Sequence, residues 1–236
     1  MVLTLVFTAA VNAHAQQSSS EIGSDLSQAS SAPLPRRSPD DGVGQASNAG
    51  LYIGFAHDPG QGNYDSGIGS PKDVWNFVDI GTTAVDFLRH PDARGSTARM
   101  RVSRHDGEWG ISSHRGIFHG YIYHNCQCVD LEVKLLDLKS SRYRGYVFAH
   151  GDAPQQNANI EIIVGNRSLG CKATVNDGTR AYESSDFKEG IHYVIFDFAV
   201  IAGEDVRIIS HRDGSGYSMF NAIQLVPLES IVDRNL

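Results

Sequence analysis

Three aromatic residues are placed as a sugar-stacking surface needs them. Trp109 sits in Asp106-Gly-Glu-Trp-Gly110, a turn-rich stretch able to display a large ring. Tyr121 and Tyr123 share a parity with His119 in Phe118-His-Gly-Tyr-Ile-Tyr-His124, so an extended segment lines all three on one face. Aromatic rings stack on the apolar face of a pyranose, and polar side chains take its hydroxyls. The competing expectation has Trp109 closing the end of the core and the tyrosines packing inward, with their hydroxyls at the water boundary.

Arginine and histidine crowd the stretch from Arg89 to His124: Arg89, Arg94, Arg99, Arg101, Arg104 and Arg115, with His90, His105, His114, His119 and His124. Asp86, Asp92, Asp106 and Glu108 offset them only in part. On a chain of formal net charge -7, such a local excess is suited to an acidic polysaccharide, because guanidinium pairs bidentately with carboxylate or sulfate. Arg99 and Arg101 are the candidates. The alternative is cross-strand pairing with outward carboxylates such as Asp130 and Glu132. His114, His119 and His124 stand five apart and alternate between the faces of a strand, so a single strand cannot present all three to a metal and only loops would bring them together.

No Gly-x-Ser-x-Gly elbow and no phosphate-cradling glycine loop occurs. A polysaccharide lyase needs a base and a cation for the uronate carboxyl, and His119, Tyr121 and Arg101 are the trio available for it. Nothing in their spacing marks them out, and a non-catalytic role is the first expectation. The acidic balance also argues against nucleic acid as a partner.

The three cysteines are Cys126, Cys128 and Cys171. Cys126 and Cys128 are too close for a relaxed bridge in an extended strand. A disulfide from one of them to Cys171 closes a long loop and stabilises by about 3–5 kcal/mol if unstrained. A zinc site on Cys-x-Cys lacks a second ligand pair at a usual spacing.

The elements that position these residues are strands. Period-two alternation marks Ala98–Val102, Val129–Leu135, Tyr143–His150, Ile160–Val164, Tyr193–Phe198, Val206–Ile209 and a closing strand Tyr217–Val226. Turn-forming links separate them, such as Val175-Asn-Asp-Gly-Thr179. The expected fold is all-β, a two-sheet antiparallel sandwich over residues 51–228. Residues 1–15 end in Ala13-His14-Ala15 and read as an export signal without its basic start. Residues 16–50, rich in Ser, Pro, Gln and Gly, read as a flexible leader, and 229–236 as a tail. A secreted, periplasmic or extracellular location follows, with no membrane insertion.

In order along the chain, Leu51-Tyr-Ile-Gly-Phe55, Val74-Trp-Asn-Phe77, Val133–Leu138, Tyr143–Gly151, Asn159–Gly165, Tyr193–Phe196 and Phe220-Asn-Ala-Ile-Gln-Leu225 form a recognisable series. Together they resemble the galactose-binding-like jelly-roll domains of secreted bacterial proteins, relatives of carbohydrate-binding modules. The resemblance implies a jelly roll that binds a glycan, with Trp75 in the core. Sandwiches of this sort often hold a structural calcium near a loop such as Asp58-Pro-Gly-Gln-Gly-Asn-Tyr-Asp65, through Asp58 and Asp65. No other cofactor is expected. The alternatives to a carbohydrate-binding module are a surface or matrix interaction protein without sugar specificity, and a small polysaccharide lyase or glycosidase.

Overall fold

The computed structural model describes residues 50–56, 68–111, 116–125, 129–184, 186–212 and 218–228. The strands are β1 (Leu51–Phe55), β2 (Asn76–Val78), β3 (Ala84–Val85), β4 (Arg99–Val102), β5 (Gly107–Gly110), β6 (Gly120–His124) and β7 (Leu131–Leu136). They continue as β8 (Ser141–Phe148), β9 (Asn159–Val164), β10 (Arg167–Ala173), β11 (Tyr193–Val200), β12 (Val206–His211), β13 (Ser218–Phe220) and β14 (Ala222–Leu228). A five-stranded sheet runs β11-β8-β14-β1-β2 and a six-stranded sheet β10-β9-β12-β7-β4-β3. A third sheet, β13-β6-β5, has three strands.

The fold is the all-β sandwich expected, with two additions: the three-stranded sheet, and a parallel pair, β1 with β2. Alternation explains the six-stranded sheet directly. Leu131, Val133 and Leu135 of β7 face the core beside Ile160, Ile162 and Val164 of β9 and Val206 and Ile208 of β12, all essentially without exposure. Each such side chain contributes about 1.5–3 kcal/mol on leaving water. Their outward neighbours are mostly charged or polar: Glu132, Lys134, Glu161 and Arg207.

The five-stranded sheet is covered on both faces at β1, which is buried along its whole length. Ile68–Trp75 lies over its outer side: Tyr52 and Trp75 pack with ring centroids 5.3 Å apart, and the Gln224 side-chain amide donates to the Ile68 carbonyl at 2.9 Å. Trp75 is buried, as its assignment to the core requires.

The closing strand is not continuous. It breaks at Asn221 into β13 and β14, which belong to different sheets. Asn221 is fully buried and uses every polar group. Its amide donates to the Gly120 carbonyl (2.9 Å) and its Oδ1 accepts from the His150 N–H (2.7 Å), while its backbone bonds Phe55 and Phe148. One side chain therefore ties the three-stranded sheet to the loop after β8.

The expected signal, leader and tail segments lie outside the described residues, apart from buried Gly50 at the leader's end. So do Asp58 and Asp65 of the calcium loop, and Cys126 and Cys128 of the expected bridge. Cys171 is exposed on β10 and carries a thiol.

Candidate functional site

β5 and β6 pair antiparallel with Trp109 opposite Tyr121 and Gly107 opposite Tyr123. Directly opposed residues project to the same face, so the register gathers the three predicted aromatics on one side of the small sheet. Tyr123 lies across Gly107, its hydroxyl 2.9 Å from where a Cβ would stand. Glycine at 107 is what lets that ring lie flat over β5.

The three rings differ in access. Tyr121 is only 2% exposed and packs edge-on against Tyr123, centroids 6.0 Å apart. At that burial it has almost no surface to offer a ligand and serves as a packing partner for Tyr123. Tyr123 is half-buried. Trp109 is 51% exposed, yet its ring is held: Nε1–H donates to Asp152 Oδ2 at 3.2 Å.

Asp152 comes from the loop after β8, which the chain locks from several sides. Gly151 N–H bonds the Gln156 carbonyl, Ala153 N–H bonds the Gln156 side chain, and the Asn176 amide donates to the carbonyls of Gly151 and Gln156. His119 ends a short 3-10 turn, Ile117–His119, immediately before β6 and is partly buried. Beneath it Phe118 is the hub of an aromatic cluster, with centroids 6.0 Å from Phe148, 5.2 Å from Phe187, 6.0 Å from His150 and 5.5 Å from His192.

The two histidines of that cluster were not singled out in the sequence. His192 Nδ1 accepts from the Lys188 N–H at 2.9 Å, which leaves Nε2–H to donate to the Ala181 carbonyl at 2.7 Å. Both nitrogens are thus satisfied with the ring neutral, and burial lowers its pKa. His150 Nδ1 bonds the Ile191 carbonyl at 3.1 Å, and its buried Nε2 meets no partner among the described residues. Burial, reinforced by His192 alongside, pushes His150 down to about 4.

Arg99 and Arg101 do not join the aromatics. Both stand on β4, in the six-stranded sheet, half exposed and already paired. Arg99 Nε meets Asp137 Oδ2 at 2.6 Å; Arg101 meets Asp86 Oδ1 at 2.7 Å and the Met100 carbonyl at 2.8 Å. Their partners are Asp137 and Asp86, which directly follow β7 and β3, and not the expected Asp130 and Glu132. Of the lyase trio, Arg101 belongs to another sheet than Tyr121 and pairs its guanidinium with Asp86.

No protein-family model matches the sequence, and no curated protein matches it. Among solved structures the chain is similar to the CBM35 of Paenibacillus barcinonensis, at 12% identity and a TM-score of 0.34, over 63% of this chain and 96% of that one. A family 35 carbohydrate-binding module from Clostridium thermocellum matches at 13% identity and a TM-score of 0.32, covering 56% and 93%. The extracellular domain of ANXUR2 from Arabidopsis thaliana matches at 10% identity and a TM-score of 0.43, covering 77% of this chain and 49% of that one. A Bacillus subtilis protein matches over 76% of this chain and 40% of its own, at 12% identity and a TM-score of 0.39. The chain spans less than half the length of these last two. The likenesses are of fold and assign no ligand.

Proposed function

We propose that this domain is an exported, non-catalytic carbohydrate-binding module whose contact with its glycan is the exposed face of Trp109. The observation that carries the reading is the combination of exposure and restraint at that ring. A freely rotating indole gives up side-chain entropy on binding. An indole tethered by Asp152 and set opposite the buried Tyr121 does so to a smaller extent. Tyr123, His119 and Asp152 supply polar groups around it for sugar hydroxyls. The arginines expected to recognise an acidic glycan are taken up in ion pairs, which favours stacking over charge as the source of affinity. No helix among the described residues is long and apolar enough to cross a membrane.

The test is glycan-array and affinity-electrophoresis binding with the full chain and Trp109→Ala. Retention by at least one polysaccharide, lost in the variant at unchanged melting temperature, is the expected result. Wild-type affinity in Trp109→Ala would overturn the site. No binding across the panel would pass the role to a surface interaction protein, for which the 87% exposed Phe87 beside edge strand β3 is the favouring observation. Release of unsaturated or reducing ends from a polysaccharide would instead show an enzyme.

A further inference from the structure

On the outer face of the six-stranded sheet, side chains distant in sequence converge on one point. β9 lies between β10 and β12. Cys171 of β10 and Ile209 of β12 both stand directly across from Glu161, so His211, two residues further along β12, shares their face. A carboxylate oxygen of Glu161, the Cys171 Sγ and a ring nitrogen of His211 all lie within 4.8 Å of one another.

Two of the three are oriented by a neighbour. Glu161 Oε1 accepts from the Ser168 hydroxyl at 2.5 Å, which turns Oε2 toward His211 Nε2 at 2.9 Å. His211 Nδ1 meets Asp130 Oδ2 at 2.8 Å. The nearby cation, Arg207, is committed to Glu132 at 2.6 Å.

The position of Cys171 depends on a β-bulge. Ser168 opposes Ile163 and Cys171 opposes Glu161, so three steps along β10 match two along β9. Gly170 carries the irregularity at a φ of 82°, a conformation that glycine adopts without steric cost. In regular pairing Gly170 would oppose Glu161 and Cys171 would point to the opposite face. The bulge brings the sulfur to the carboxylate.

We propose that Glu161, Cys171 and His211 form a binding site for a divalent cation of the zinc class. Thiolate, imidazole and carboxylate together suit zinc, whereas calcium and magnesium need several oxygen ligands and find one carboxylate here. Metal–ligand bonds of about 2.0–2.3 Å place tetrahedral ligand atoms about 3.3–3.8 Å apart, which modest side-chain rotation reaches from the observed spread. Loading removes one proton from the Cys171 thiol and any proton on His211 Nε2, and both pass to solvent. His211 Nδ1–H then donates to Asp130, a carboxylate backing a metal-bound imidazole. Water fills the fourth position on the exposed side.

The site is separate from Trp109, and its test is independent of sugar binding. The reduced full chain is titrated with cobalt(II) alone and followed by absorption. One equivalent should bind with a thiolate-to-cobalt charge-transfer band that zinc(II) then displaces. Cys171→Ser should abolish the band at unchanged melting temperature, and Glu161→Gln and His211→Asn should weaken zinc affinity in a chelator competition. Asp130→Asn should keep the band but lower affinity about 10- to 100-fold. Because Cys126 and Cys128 are further thiols, a Cys126→Ser/Cys128→Ser double variant serves as control and should retain the band. A band that survives Cys171→Ser, one that vanishes in the double variant, or no binding at stoichiometric cobalt would each overturn the proposal.

Discussion

Acidification should weaken this fold well above the range in which carboxylates titrate, through His150. The ring is 1% exposed, and its Nδ1 is spent on the Ile191 carbonyl. A second proton would have to sit on Nε2, which has no acceptor among the described residues, beside His192 at a centroid distance of 5.4 Å. In the unfolded chain the imidazole titrates near 6.5, and in the fold at about 4. The folded value is the lower one, so between the two the unfolded state holds more protons and stability falls as pH falls. At about 1.4 kcal/mol per pH unit the full gap amounts to about 3 kcal/mol, and integrated from pH 7.5 to 5 it comes to about 2 kcal/mol. His192, also lowered by burial, adds to the loss with the same sign. His211 acts oppositely: burial lowers it, but bonds to Glu161 and Asp130 outweigh that and leave it raised, so its stabilisation fades as pH rises. Urea unfolding separates these terms. With m of about 2 kcal/mol/M, the midpoint should drop by about 1 M between pH 7.5 and 5 on account of His150. His150→Gln keeps a donor for Ile191 and should remove that part of the drop. An equal fall in wild type and His150→Gln would refute the reasoning.

Other perturbations test separate links. Asn221→Ala leaves the buried His150 N–H and Gly120 carbonyl without their side-chain partner; at about 1–3 kcal/mol per orphaned group, chemical denaturation should show a loss of about 3 kcal/mol, and glycan affinity should fall with it. Arg144 pairs bidentately with Asp197, both bonds 2.7 Å, but each side chain is roughly two-fifths exposed; Arg144→Met should cost no more than about 1 kcal/mol at low salt and less at high salt. Trp75 is buried and Trp109 exposed, so in a Trp75→Phe variant the remaining fluorescence reports Trp109 alone and should blue-shift on glycan binding; an unchanged spectrum with bound ligand would move the contact elsewhere.

What could be read from the sequence was what local periodicity encodes. Ile160–Val164 was expected as a strand, and β9 is Asn159–Val164. Val129–Leu135 was expected, and β7 is Leu131–Leu136. β10 escaped because Arg167-Ser-Leu-Gly-Cys-Lys-Ala173 is an exposed edge with a bulge and shows no alternation. Its signal is the tight turn at Gly165, where φ is 57°, since such two-residue turns fit the twist of a hairpin. The break at Asn221 escaped for a different reason. Apolar residues continue on both sides without proline or glycine, and the acceptor and donor that hold Asn221 lie at Gly120 and His150. At the site, parity correctly aligned Tyr121 with Tyr123, but only the β5–β6 register brings Trp109 opposite. The Glu161–Cys171–His211 cluster spans three strands, and no local pattern encodes such a meeting.

The same outer face shows why an arginine-rich stretch need not make a polyanion receptor. Arg101 is opposed by Asp86, Arg99 by Asp137, Lys134 by Asp205 and Arg207 by Glu132, each within 2.6–2.7 Å. A carboxylate or sulfate from a glycan reaching Arg99 or Arg101 would have to displace the aspartate already there. That exchanges one half-exposed ion pair for another, and such pairs contribute about 0–1 kcal/mol each. The displaced aspartates would then repel the incoming anion on a chain already at net charge -7. Appreciable affinity must therefore come from surface that is not already satisfied within the protein. Among the site residues proposed from sequence, Trp109 offers the most exposed area of that kind.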